Sequence, residues 1–339
     1  MRILAYYNGE FNVFIGKFLN ALVKYKKENL VGVLSTHSSV SLQSFLNTHG
    51  IRLFNDLSSI KEPFDNFVLS DMHSKDIEQK ELELFNRLLD MNVKIVNGGQ
   101  ICLREVLNPS NSNQVVDLRY NNLDTPRNLN IKKNNTAVKI LTVGMDCNIG
   151  KMTTSLELRK CLCKNDIDCA FVPTGQIGMF LEGNGVPIDN TIIDYSSRIM
   201  ANLVSSYENK VLIIEGQGGI FNPLYSQVTL AQIHGSAPDK IILCHDPTRK
   251  HPRYNDSICL PNLKDAISLY EALARIVNKD SKVFAVSVNT SGFKKIERAT
   301  EYISNMEKEL KLPVFDPCRT IGMHKVISEI KRFSEQKQL

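Results

Sequence analysis

Lys151 is the residue of this chain whose surroundings point most directly to chemistry. It lies in the run Gly144-Met-Asp-Cys-Asn-Ile-Gly-Lys-Met-Thr-Thr154, directly after a strand-like stretch, Lys139 to Val143. Gly144 and Gly150 let the backbone turn tightly, and the loop amides converge on a helix N-terminus that stabilises an anion. This is the construction of a phosphate-binding loop, in which the lysine reaches the terminal phosphates and a following hydroxyl holds Mg²⁺. Met152 occupies the position that Ser or Thr usually takes, so Thr153 or Thr154 must supply the hydroxyl, and Thr153 is the predicted metal ligand. Gly144, Asn148, Ile149, Gly150, Lys151, Met152, Thr153 and Thr154 are the predicted cofactor-binding residues. Asp146, inside the loop, is a candidate base or second metal contact. The motif specifies a phosphate group and leaves open whether it belongs to ATP, GTP or coenzyme A.

A second segment, Val211-Leu-Ile-Ile-Glu-Gly-Gln-Gly-Gly219, has the pattern of a parallel strand whose carboxyl end meets a ligand crevice. A carboxylate at such a strand tip completes the oxygen shell of a magnesium ion, which makes Glu215 the second predicted metal ligand. Gln217 and Gly218 in its turn, Gln176 in Thr174-Gly-Gln-Ile-Gly178 and Asn289 in Asn289-Thr-Ser-Gly292 sit in the same class of loop. Gln176, Gln217 and Gly218 are predicted substrate contacts, and Asn289 a cofactor contact.

The elements that position these residues alternate strand and helix. Met1 to Tyr7, Asn29 to Ser35, Asn66 to Ser70 and Val93 to Asn97 read as strands. Phe11 to Lys27, Lys75 to Asn92 and Gln100 to Leu107 read as helices. This pattern predicts a doubly wound parallel sheet, a Rossmann-like domain over 1–125, although its first turn, Asn8-Gly-Glu-Phe-Asn12, lacks the GxGxxG dinucleotide fingerprint. The turn-rich Asn108 to Gln114 and the polar Tyr120 to Asn135 read as the linker, with a short strand of uncertain ownership between them. The alternation resumes from Val138, predicting a second α/β domain over 126–339 with strands at Cys169 to Pro173, Lys240 to His245 and Lys282 to Val288. Helices are expected at Tyr195 to Tyr207, Leu263 to Asn278, Ile296 to Leu310 and Ile321 to Ser334.

The 339 residues suit two such domains. The net charge of +5 is dispersed along the chain, which argues against a nucleic-acid footprint. The short apolar start is no signal segment and no run reaches membrane-span length, so a cytoplasmic protein without membrane contact is expected. The eight cysteines lack metal-ligand pairing and read as reduced, mostly buried thiols. Cys161 and Cys163 are two apart on a helix and point to opposite sides. Cys147, near a helix N-terminus, is placed where a thiolate is stabilised, yet reads chiefly as a loop filler.

The phosphate loop, together with Pro173-Thr-Gly-Gln-Ile-Gly178, Glu215-Gly-Gln-Gly-Gly219, Leu243-Cys-His-Asp-Pro247 and Asn289-Thr-Ser-Gly292, resembles the DUF1611 family along nearly the whole chain. Its best-described members are D-glutamate N-acetyltransferases, so the resemblance implies transfer of acetyl from acetyl-CoA to an amino acid. The C-terminal half is also similar to dethiobiotin synthetase, whose loop has like spacing and whose Glu-Gly-x-Gly-Gly acid binds Mg²⁺. That likeness implies an ATP- and Mg²⁺-dependent ligase or kinase of a small carboxylate; a nucleotide-controlled switch is a third reading. For acetyl transfer a base and an oxyanion donor are needed. His245 is the preferred base and His234 the second choice, also a substrate contact. Arg249 offers forked donors to a substrate carboxylate. A small-molecule substrate and a homo-oligomer are expected.

Overall fold

The computed structural model describes residues 1–8, 16–69, 77–99, 101–107, 109, 113–120 and 136–337. The chain divides into two compact units, Met1–Asn122 with Met179–Gly183, and Leu123–Gly178 with Asn184–Leu339. Each is an α/β unit around a parallel six-stranded sheet.

In the first unit the elements run β1 (Ile3–Tyr6), α1 (Lys17–Tyr25), β2 (Leu30–Leu34), α2 (Val40–His49), β3 (Leu53–Phe54), β4 (Asn66–Leu69), α3 (Gln79–Asp90), β5 (Lys94–Asn97), α4 (Leu103–Leu107) and β6 (Val115–Asp117). The strand order β3-β2-β1-β4-β5-β6 is that of a Rossmann sheet. The strands are apolar runs because helices cover both faces. Val115–Asp117, of uncertain ownership in the sequence, is the edge strand beside β5. Its Asp117 accepts from the amides of Leu103 and Arg104 at 2.9 Å each, so a carboxylate starts the short α4. The sequence reading did not contain α2, whose first residue Val40 is 83% exposed and breaks any apolar stripe; Ser39 accepts from Leu42 N to cap it, and Gly50 ends it in the left-handed region. A cavity of about 140 Å³ opens beside Tyr6, Thr36, Asp56, Glu78 and Glu81. The expected Gly9-containing turn and most of the expected linker fall outside the described residues.

The second unit comprises β7 (Val138–Gly144), α5 (Lys151–Lys164), β8 (Cys169–Val172), the start of α6 (Gln176–Glu182, of which Met179 onward falls in the first unit), α7 (Ile193–Ser205), β9 (Val211–Ile214), α8 (Ser226–Ser236), β10 (Lys240–His245), α9 (Leu263–Arg275), β11 (Lys282–Val288), α10 (Ile296–Leu310), β12 (Val314–Phe315) and α11 (Met323–Gln336). One sheet face packs Leu158 and Leu162 of α5 and Val326, Ile330 and Phe333 of α11 against Ile140, Ile213 and Ile242. The other buries Leu141, Val143, Ile214 and Leu243 beneath α7 to α10. The strand order is β12-β11-β10-β7-β9-β8, with every pairing parallel. Parallel strands end at one edge, so the loops after Gly144, Ile214, His245, Val288 and Val172 all emerge together, with β7 at the centre. That edge collects the sequence motifs, which lie up to 145 positions apart, Gly144 to Asn289.

No helix among the described residues is long and apolar enough to cross a membrane.

Candidate phosphate-binding site

The loop from Gly144 to Lys151 is shaped by contacts that only small residues allow. A Cβ on Gly144 would stand 2.8 Å from Ile149 Cδ1 and 3.0 Å from the Asp146 carbonyl. Asn148 and Gly150 both take positive φ, 58° and 110°, a curvature that turns backbone amides toward a common centre. Gly150 is the N-cap of the 14-residue α5, so the positive end of its dipole lies in the loop. Lys151 is buried. Its Nζ donates to the carbonyls of Asp146 at 2.8 Å and Gly218 at 2.5 Å, which fastens the loop to the turn after β9. Burial pushes the lysine pKa down, against the opposing pull of Cys244, Cys147, Asp146 and Glu215.

The two threonines divide their tasks. Thr154 is 1% exposed and its hydroxyl shares a 2.8 Å hydrogen bond with Ser287 of β11. Thr153 is half-buried in the first turn of α5. Ser155, which the sequence reading passed over, bonds the Lys151 carbonyl and the Thr142 hydroxyl.

Asp146 has a different surrounding from that expected of a base or metal contact. It is fully buried; Oδ1 accepts from Asn222 Nδ2 at 2.8 Å, and Oδ2 accepts from Arg249 Nη1 and the Arg253 amide, both at 2.7 Å. A carboxylate holding three donors braces three loops, and both of its oxygens are engaged by those donors. Arg249, expected to meet a substrate carboxylate, spends a guanidinium nitrogen on this ion pair. Asp146→Asn is expected to lower stability by about 1.5 to 3 kcal/mol, because it removes the charge from hydrogen bonds made by a cation and two neutral donors. Denaturant unfolding checks this, and an Asp146→Asn/Arg249→Ala pair should be markedly non-additive.

Glu215 follows β9 and is 2% exposed. Its Oε2 accepts from the amides of Thr174 at 2.9 Å and Gly175 at 3.2 Å, while Oε1 accepts no hydrogen bond among the described residues. Desolvation raises its pKa to about 7, with the two amides and Lys151 pulling the other way. Glu215 therefore has one carboxylate oxygen that a hard cation could take, and to that extent the residue's chemistry fits magnesium. Gln232 of α8, 1% exposed, ties the arrangement together: its Nε2 donates to Thr174 Oγ1 and the Glu215 carbonyl, and its Oε1 accepts from the Gln217 amide at 2.6 Å. Tyr270 of α9 donates to the Gly144 carbonyl at 2.6 Å. Neither Gln232 nor Tyr270 carries a sequence signal, since α8 lacks an amphipathic pattern and a helical tyrosine reads as core. Gln176, Gln217, Gly218 and Met152 are half-buried along the same edge.

The histidines lie elsewhere. Cys244 directs its thiol to Thr154 of α5, 3.6 Å away, so the next residue, His245, faces the opposite side of the sheet. There its Nε2 meets Tyr302 Oη of α10 at 3.0 Å and the rings stack. Desolvation lowers its pKa to about 4. Such a group is neutral at pH 7 but a poor proton acceptor, which counts against the expected base role. His234 lies on α8 and is half-buried, its Nε2 atom buried without a hydrogen-bond partner among the described residues. Asn289 donates its amide to the His245 carbonyl and accepts from Ser291 N. The thiol of Cys147 is pushed up by burial and by Asp146, which goes against a stabilised thiolate at this helix N-terminus.

The His245 shift sets an acid limb. A folded-state pKa below that of the unfolded chain means the unfolded state binds the proton more readily between about pH 6.5 and 4, so this contribution is present above pH 6.5 and is lost as pH falls toward 4. Glu215, with its raised pKa, contributes the opposite slope between about pH 4.5 and 7. The check is therefore the difference between wild type and His245→Gln: the variant should lose on the order of 2 kcal/mol less stability from pH 6.5 to 4.

Residues 129–327 match the P-loop domain described as "Domain of unknown function (DUF1611_C) P-loop domain". The chain belongs to the DUF1611 family. It is 30% identical over 321 residues to a D-glutamate N-acetyltransferase of Pseudoalteromonas sp., an alignment spanning 93% of this chain and 94% of that protein. A D-glutamate N-acetyltransferase of Tritonibacter scottomollicae is 38% identical over 182 residues, 53% of this chain and 54% of that one. The crystal structure of a DUF1611 family protein from Anabaena variabilis superposes with a TM-score of 0.82 at 26% identity, covering 98% of both chains. The two-unit α/β architecture is thus that of the DUF1611 family.

Proposed function

We propose that this protein transfers the acetyl group of acetyl-CoA to the amine of D-glutamate or a closely similar amino acid. The observation that carries the reading is near-full-length likeness to an acetyltransferase of that name, joined to a phosphate loop whose parts converge on one sheet edge. Coenzyme A supplies an activated thioester. The loop amides and Lys151 bind its pyrophosphate, Thr153 and Met152 border it, and the Glu215–Gly219 turn with Gln176 and Gln217 lines the adjoining crevice. Orientation accounts for much of such catalysis, because a thioester held against an amine reacts as if at very high concentration.

Glu215 beside Lys151 favours a second reading, an ATP- and Mg²⁺-dependent ligase or kinase. One assay separates the two. With acetyl-CoA and D-glutamate, free thiol should appear at an undiminished rate in EDTA, and acetyl-CoA should raise the melting temperature; a ligand at about 100 times its Kd adds roughly 2.7 kcal/mol. No thiol from any D- or L-amino acid, alongside amine-dependent ADP formation from ATP and Mg²⁺, overturns the acetyltransferase reading.

A further inference from the structure

Of the eight cysteines, the fold brings two together at the turn between α5 and β8. Cys163 lies in the last turn of α5 and is exposed; Cys169 is the first residue of β8 and is buried. Their sulfurs stand 3.5 Å apart. We propose that Cys163 and Cys169 are an oxidative modification site, closing reversibly to an intramolecular disulfide across the α5–β8 turn.

The turn is well determined. Asn165 N and Ile167 N both donate to the Leu162 carbonyl, Asp166 N donates to the Cys163 carbonyl, and Asp166 takes the left-handed conformation that reverses the chain. A disulfide needs sulfurs about 2.05 Å apart, so the pair must approach by roughly 1.5 Å, a distance that side-chain rotation spans. Cys161 and Cys244 do not compete. Cys161 packs toward the α5–α11 core, and Cys244 is buried against Thr154. Exposure makes Cys163, rather than the buried Cys169, the thiol of the pair that meets an oxidant first. Burial and the neighbouring Cys163 push the Cys169 pKa up to about 12, so its attack is the slower step and depends on the 3.5 Å proximity of the Cys163 sulfur.

With a low-molecular-weight disulfide such as oxidised glutathione, the Cys163 thiolate attacks one sulfur and expels a first glutathione thiolate. Cys169 then gives up its proton and attacks the Cys163 sulfur of the mixed disulfide, expelling the second glutathione. Two protein thiols are oxidised and one small disulfide is reduced to two thiols, which carry the protons away. The bridge pins the C-terminal end of the phosphate-loop helix to β8, the strand that leads into Thr174 and Gly175, the amide donors to Glu215.

The test is to treat the reduced full-length protein with oxidised glutathione and map its tryptic peptides without reduction. Trypsin cuts after Lys164, so the bridge joins two peptides, and a Cys161→Ser background removes ambiguity within the first. The expected result is a linked pair lacking two hydrogens, no glutathione on either cysteine of the pair, and full recovery with dithiothreitol. Cys169→Ser should instead retain glutathione on Cys163, and Cys163→Ser should leave Cys169 unmodified. A wild-type protein that keeps glutathione on Cys163, that bridges Cys163 to any other cysteine, or that fails to react overturns the proposal.

Discussion

Replacing Lys151 with alanine is expected to weaken binding of the phosphate-bearing cofactor roughly 10²- to 10³-fold while the protein stays folded, as removal of charge-assisted donors usually does. Lys151 supplies the one full positive charge at the start of α5, already buried and already aimed between two carbonyls. Its removal leaves the Asp146 and Gly218 carbonyls accessible to water, and the loop keeps its other supports: Tyr270 on the Gly144 carbonyl, and Asn222 with Arg249 on Asp146. Lys151→Arg should fail as well. The lysine Cδ runs 3.2 Å from where a Cβ would stand on Gly144 and on Gly216, a slot lined by two glycines that has no width for a guanidinium. Calorimetric titration with acetyl-CoA and with ATP, beside circular dichroism, makes the measurement. Wild-type affinity in either variant removes the phosphate-loop assignment.

The largest loss of stability is expected from Gly216→Ala. The added Cβ would lie 1.7 Å from the Thr142 carbonyl oxygen and 2.9 Å from its carbonyl carbon, both backbone atoms of the central strand. No rotamer relieves a collision between two main chains, so β7 and β9 must separate at the point where Thr142 Oγ1 accepts from the Gly216 amide. A cost above about 4 kcal/mol, or failure to accumulate as soluble protein, follows. Gly50→Ala is the control: Gly50 has φ of 63° with nothing within 4 Å of the added carbon, so only the left-handed backbone is penalised, by about 1 to 2 kcal/mol. Thermal unfolding of the two variants in parallel gives the comparison. Equal melting temperatures would show that the β9 turn does not press on β7.

The phosphate loop was legible in the sequence because its determinants are local. Glycine spacing, a preceding apolar strand, a lysine and hydroxyls act within a dozen residues, and the backbone conformations that Gly144 and Gly150 permit follow from those residues alone. The gathering of the Glu215, Gln176, Asn289 and His245 loops at one edge was legible too, since alternating strand and helix patterns imply parallel strands, and parallel strands end together. Partner choice was not. Asp146 looked like chemistry until Asn222, Arg249 and Arg253, 76 to 107 positions away, saturated it. Thr153 and Thr154 were interchangeable on paper until Ser287, 133 positions along, engaged one of them. His245 sits at a strand tip as its sequence predicts, but the alternation of side chains across β10 turns it to Tyr302, where desolvation strips it of basicity. Short-range rules specify where the backbone goes; which face a side chain meets and which charge it is left with depend on contacts between segments far apart in the chain, and only the packed sheet brings those about.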